Sequence, residues 1–156
     1  MQRDQVSEIV ERVLARVRAG DEPPESRVEG PPAQPLGVFP QVAAASEAAR
    51  TSQQVLVALP LEKRREIIAN MRRCLLEVVP ALSRMAVEET KMGRVEDKIR
   101  KNVLAARRTP GPEVLEPVAW TGDDGLTLVE RAPWGVIGSI TPATNPTETI
   151  ICNGIG

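Results

Sequence analysis

Chemistry has few places to reside in this chain. There is no histidine, which removes Ser-His-Asp and Cys-His catalysis, the commonest metal ligand and the usual general base. The two cysteines, Cys74 and Cys152, lie far apart with neither metal-ligand spacing nor a disulfide framework. A reactive thiol needs a cation, a base or a helix N-terminus to ionise it. Cys74, flanked by Leu75 and Leu76, is expected to be a buried structural thiol. Cys152 falls about two turns into a helix among Ile150, Ile151 and Ile155, and reads as core. The remaining candidate is a loop. Val136–Ile140 is a β-branched run that predicts a strand, and it enters Thr141-Pro-Ala-Thr-Asn-Pro146. A helix start follows, with Asn145 as N-cap, Pro146 at the first helical position and Glu148 three residues after the cap. Strand, polar loop and capped helix are the parts of an α/β nucleotide site, where ligands lie beyond the carboxyl ends of strands. The plainer alternative is that Asn145 and Pro146 merely end a strand and cap a helix. Gly135-x-x-Gly138 is not a dinucleotide fingerprint.

The elements that must hold this loop are mostly helical. Phe39-Pro40 opens an Ala-rich helix to about Ala58. Pro60 opens a second, with Leu61, Ile67, Ile68, Met71, Leu75 and Val78 as its stripe, and Pro80 opens a third that stops near Gly93. A fourth runs from about Val95 to Arg108, ended by Thr109-Pro-Gly-Pro112. Residues 109–125 read as loop, closed by the turn Gly122-Asp-Asp-Gly125, and Leu126–Glu130 alternates as a strand. At the start of the chain, Val6, Ile9, Val10, Val13, Leu14 and Val17 recur at helical spacing over residues 1–19. Residues 20–37 follow with five prolines, three glycines and five charges, a semi-extended linker. Local docking of a helix behind such a spacer is disfavoured, and mixed charges without Trp or Phe argue against a membrane surface. The stripe is therefore expected to meet a partner helix or groove.

Composition bounds the rest. Lys+Arg 20 against Asp+Glu 21 gives a net charge of −1, which favours neither nucleic acid nor acidic membranes as partners. The Lys and Arg excess between residues 60 and 108 is interleaved with acids and lacks aromatics, so it reads as a solvated outer face of helices. No metal site is expected. No apolar run approaches the ~20 residues that span a bilayer, and no secretory signal precedes the body, so the expected compartment is the cytoplasm.

From Gly37 onward the wording resembles the aldehyde dehydrogenase superfamily, and within it the coenzyme-A-acylating branch of bacterial microcompartments. The phrases are Gly37-Val-Phe-Pro40, Ala58-Leu-Pro-Leu-Glu-Lys-Arg-Arg-Glu-Ile-Ile68, Val87-Glu-Glu-Thr90, Met92-Gly-Arg-Val-Glu-Asp-Lys98, Gly122-Asp-Asp-Gly-Leu-Thr-Leu-Val-Glu130, and Arg131 to Ile150 around the loop. The resemblance implies an α/β aldehyde dehydrogenase fold, represented by its mostly helical N-terminal part, a β-hairpin and the first strand and helix of a Rossmann-like NAD domain. Residues 38–156 would be the incomplete NAD-binding part, with 126–134 an oligomerisation hairpin. Residues 1–19 resemble an encapsulation peptide, implying a microcompartment shell protein or cargo helix as partner and the compartment lumen as location.

The reaction so implied is NAD-dependent conversion of a short aldehyde, acetaldehyde or propionaldehyde, to acyl-CoA, with NAD as cofactor, coenzyme A as co-substrate and a homo-oligomeric enzyme. Hydrolytic relatives read Pro-Trp-Asn-Phe-Pro where this chain reads Pro142-Ala-Thr-Asn-Pro146, so Thr144 aligns with the family asparagine and Asn145 is its neighbour. Asn145 is assigned the oxyanion role because only an amide N–H₂ matches that donor chemistry, with Thr144 as its competitor. Thr141, Pro142, Ala143 and Thr144 would line the nicotinamide and ribose. The nucleophilic cysteine and the CoA site are expected beyond Gly156, which leaves residues 1–156 inactive alone. The rival reading is a non-catalytic helical protein that docks through residues 1–19.

Overall fold

Alanine-rich sequence with no helix breaker forms helix α1 (Val42–Ala58). In a computed structural model, the described residues are 37–156 and, ahead of them, Glu8, Glu11, Arg12, Leu14, Ala15, Arg18 and Ala19. Helix α2 (Leu61–Thr90) follows Pro60, and helix α3 (Val95–Arg108) follows a short turn. A 3₁₀ turn (Pro112–Leu115), strands β1 (Val118–Gly122) and β2 (Gly125–Val129), and helix α4 (Pro146–Ile155) complete the order. The described residues are mostly helical with a β-hairpin, as expected, but without the expected strand ahead of the last helix.

Helix α3 packs against both α2 and α4, which also touch each other, and carries more buried side chains than any other element of the described residues. Glu96 and Asp97 occupy its first turn and Arg107 and Arg108 its last, so both ends oppose the helix dipole favourably. Its apolar stripe feeds two clusters. Ile99 and Val103 meet Val79, with Leu76 and Val95 at the edge. Ala105 and Ala106 meet Ile151 and Ile155 of α4, with Ile68, Leu75 and Cys152 around them. The second cluster seats the C-terminal half of α4 against α3.

Several expectations are corrected. Pro80 does not open a third helix but lies inside α2. An interior proline forfeits one backbone hydrogen bond. The helix continues because Val79 on one side of Pro80 and Ser83 and Ala86 on the other are all buried on the same face. That line of burial also explains Cys74, which is exposed rather than buried. At 100° per residue the buried face passes through Leu75, Leu76 and Val79, turning Cys74 and Val78 toward solvent.

The hairpin begins earlier than expected, since β1 lies within the stretch read as loop. Gly122 pairs with Gly125 across the Asp123-Asp124 turn, and Trp120 pairs with Thr127. Gly125 has φ +145°, a conformation that a side chain would strain. Val136–Ile140 is not a strand. A strand needs a hydrogen-bonded neighbour, and no other strand of the described residues lies alongside it. Ile140 is 94% exposed and Trp134 92%.

The starting segment also departs from expectation. Leu14 is only 1% exposed and packs in the first cluster with Val79, Ile99 and Val103. Arg18 lies 3.7 Å from Glu96 at the start of α3. The apolar residue at position 14 is thus covered by the chain's own body. A long linker opposes such docking only weakly, because loop-closure entropy grows with the logarithm of length. The linker at 20–36 and the other residues of the N-terminal stripe lie outside the described residues.

Past α3 the chain is pinned by Arg72, half-buried on α2. Its Nη2 donates to the Thr109 carbonyl and to Glu113 Oε1, each at 2.9 Å. The hydrogen bond from Arg72 holds the Glu113 carboxyl below its ordinary pKa.

Candidate functional site

The loop before α4 is held from beneath by polar side chains of α3. Lys98, 6% exposed, donates from Nζ to the Thr144 carbonyl at 2.7 Å. One turn on, Lys101 Nζ donates to Asn145 Oδ1 and lies 3.6 Å from Glu148 Oε2. Asn102, fully buried, donates from Nδ2 to Ser83 Oγ at 2.9 Å and to Thr147 Oγ1 at 3.0 Å. The Thr147 hydroxyl is also within 3.1 Å of Asn102 Oδ1. Asn102 therefore ties α2, α3 and the first turn of α4 through a single amide.

Asn145 occupies the N-cap position of α4, but its side chain makes no capping hydrogen bond. The sequence predicts a cap with Glu148 in support. Both side chains are instead drawn to the Lys101 ammonium. A charge-assisted hydrogen bond is roughly twice as strong as a neutral one, which is the physical reason the cap is not made. Pro146 stands at the first helical position as expected, where its missing N–H costs nothing.

Thr144 and Asn145 are thus brought together and anchored. Thr141, Pro142, Ala143 and Thr144 are exposed on the outer side, and Asn145 is half-buried behind them. This outer face carries no charge. Ser139 accepts a hydrogen bond from Asn153 Nδ2, which ties the segment before the loop to the far end of α4. Cys152 behaves as read from the sequence: it packs in the second cluster, with Sγ 3.2 Å from Thr109 Oγ1. Among the described residues no cluster of three or more His, Cys, Asp or Glu forms a metal site, and no helix is long and apolar enough to cross a membrane.

The residues that sequence reasoning missed are Lys98, Lys101 and Asn102. Lys98 was expected on a solvated face with the other bases, yet it is buried. A signal was present: in the stripe Val95, Ile99, Val103, Ala106, position 102 is a polar residue at a core register. A buried amide needs partners, which the sequence does not name.

No family model matches the chain. It is 43% identical over 155 residues to the acetaldehyde dehydrogenase (acetylating) EutE of Escherichia coli K12, covering 99% of this chain and 32% of the relative. A propionaldehyde dehydrogenase from the Clostridium phytofermentans fucose utilisation bacterial microcompartment superposes with TM-score 0.71 and 52% identity, over 77% of this chain and 28% of that one. The Rhodopseudomonas palustris propionaldehyde dehydrogenase with bound CoA and an acylated cysteine gives TM-score 0.71 and 50% identity, over 76% and 28% of the two chains. An engineered glycolyl-CoA reductase that aligns equally well carries NADP+. The chain spans about a third of the length of the curated relatives it matches.

Proposed function

We propose that this chain, a homologue of the CoA-acylating acetaldehyde and propanal dehydrogenases over about a third of their length, supplies the oxyanion-side loop of an enzyme that oxidises a short aldehyde to acyl-CoA. The observation that carries this reading is the state of Asn145. Its side-chain oxygen is engaged by Lys101 and it does not cap its helix. An amide held by its oxygen keeps its N–H₂ available as a donor.

In such a reaction a thiolate attacks the aldehyde carbon, and the former carbonyl oxygen gains negative charge. A donor aimed at that oxygen stabilises the transition state by about 3–4 kcal/mol. Asn145 Nδ2 takes this part. The uncharged outer face of Thr141, Pro142, Ala143 and Thr144 fits the nicotinamide and ribose of NAD, which supplies hydride acceptance when bound. The nucleophile and the CoA site belong to the two thirds of the relatives' length that this chain does not span. Residues 1–19 serve as an encapsulation helix that meets a shell protein or a cargo helix in a microcompartment, the setting from which one relative comes.

The test replaces the matching third of the Escherichia coli relative with residues 1–156. The expected outcome is aldehyde-dependent and CoA-dependent reduction of NAD, read at the nicotinamide absorbance, and its loss when CoA is left out. A folded chimera without CoA-dependent turnover would favour the rival reading, a non-catalytic helical interaction protein.

A further inference from the structure

We propose that Lys101 is a positioning residue that fixes which end of the Asn145 amide faces the loop's open side. The inference rests on the oxyanion reading above and adds a residue from a different element to it. An ammonium carries only donors, so the amide atom against Lys101 Nζ has to be the oxygen. The bond to Lys101 therefore selects one of the two amide orientations, the one that turns Nδ2 away from α3. Without it, Oδ1 has a nearby competing use, since an N-cap side chain ordinarily accepts from the backbone N–H groups of the first helical turn. That alternative pulls the amide toward the α4 axis.

The neighbouring contacts make the arrangement rigid. Lys98 holds the Thr144 carbonyl at 2.7 Å from one turn earlier on the same helix. Glu148 meets Lys101 at 3.6 Å, which restrains the ammonium beneath Asn145. Asn102, fully buried, anchors Thr147 and so the helix start against which the amide is placed. A lysine at 98 and a lysine at 101 thus restrain two successive loop residues, one by backbone and one by side chain. The Thr144 carbonyl is taken up in the same anchorage, so Thr144 contributes its backbone to holding the loop while Asn145 presents the donor.

Two readouts test this. In the ¹⁵N-labelled chain, the Asn145 side-chain N–H₂ pair is identified by its disappearance in Asn145→Ala. It is expected to shift in Lys101→Met and to return toward its original position in Lys101→Arg. In the chimeric enzyme, Lys101→Met should lower kcat by about 10–100-fold, the usual effect of removing a group that orients a catalytic one. KM for NAD should hold within about twofold, since the lost effect lies on charge that appears during reaction. Added to Asn145→Ala, Lys101→Met should have no further effect, because its action runs through that amide. An unmoved amide pair, or a loss in kcat that persists in the Asn145→Ala background, overturns the proposal. If Asn145→Ala itself turns over normally, the oxyanion assignment fails, and the response of the amide pair alone then decides whether Lys101 orients it.

Discussion

At the scale of single residues, two neighbours compete for one role. Thr144 is the competitor that the resemblance to hydrolytic relatives would put in the oxyanion role, yet its carbonyl is what the structure anchors, through Lys98. Asn145 is its neighbour, and its amide is the group held in a defined orientation. In the assembled enzyme, Asn145→Ala should lower turnover on the order of 10²–10³-fold, the cost of one lost oxyanion donor. Thr144→Val keeps the shape and the backbone carbonyl, and should leave turnover within a few-fold. Steady-state kinetics on the pair reads this directly. Loss of turnover in Thr144→Val with normal turnover in Asn145→Ala would give the role to Thr144. Because Asn145 makes no side-chain cap, the roughly 1 kcal/mol expected from losing an N-cap is replaced by the loss of its bond to Lys101.

At the scale of elements, the packing of α2, α3 and α4 depends on one buried amide. Asn102→Ala would leave the fully buried Ser83 hydroxyl and the half-buried Thr147 hydroxyl without this partner. A destabilisation of about 2–4 kcal/mol is expected, from the lost bonds and the desolvated hydroxyls together. Chemical denaturation of the chain measures it, and a change below about 0.5 kcal/mol would mean the site relaxes around the gap. The turn after α3 offers a pH-dependent contact. The Arg72 hydrogen bond lowers the folded pKa of Glu113. A depressed carboxylate pKa contributes stability that is present above the unfolded carboxylate value and lost as pH falls through the folded one. Glu113 is 55% exposed, so the contribution should be below about 1 kcal/mol. Melting the protein and Glu113→Gln across the acid range should show a gap at neutral pH that closes in acid. Helix α2 ends with Lys91 in the left-handed region at φ 56°. Lys91→Gly should therefore raise stability by about 0.5–1 kcal/mol, read as a higher melting temperature.

At the scale of the whole molecule, the position of Leu14 joins the start of the chain to its core. Burying a leucine side chain is worth about 1.5–3 kcal/mol. Leu14→Asp should therefore lower the stability of the body by about that amount, an effect that an undocked start would not produce. A melting curve that superposes on the parent's would remove the contact. The same substitution, paired with Val10→Asp and placed on a fluorescent protein carrying residues 1–36, should abolish delivery to shells if the apolar stripe is what the partner grips. Since Leu14 is covered by Val79, Ile99 and Val103, capture by a shell protein or cargo helix would then compete with this docking. On the hairpin, Leu126 and Leu128 stand exposed on one face and Trp120 on the other, so each face offers apolar area of the kind that protein partners cover.

What the sequence by itself determined is local. The helix end at Ala58, the helix from about Val95 to Arg108, the Gly122–Gly125 turn and the Pro146 helix start all follow from propensity, proline and turn chemistry acting over a few residues. The wording of residues 131–150 also pointed to the family with which the chain proves homologous. Tertiary structure decided what depends on contacts between distant positions. Pro80 stays inside one helix because residues on both sides of it are buried together. Val136–Ile140, a strand by composition, has no neighbouring strand among the described residues to complete its hydrogen bonds. Lys101 and Asn145 are 44 positions apart, and no local rule says that an ammonium on one helix will take the oxygen that should cap another. The amide's oxygen goes to the stronger, charged donor, and only the packing of α3 against α4 brings that donor within reach.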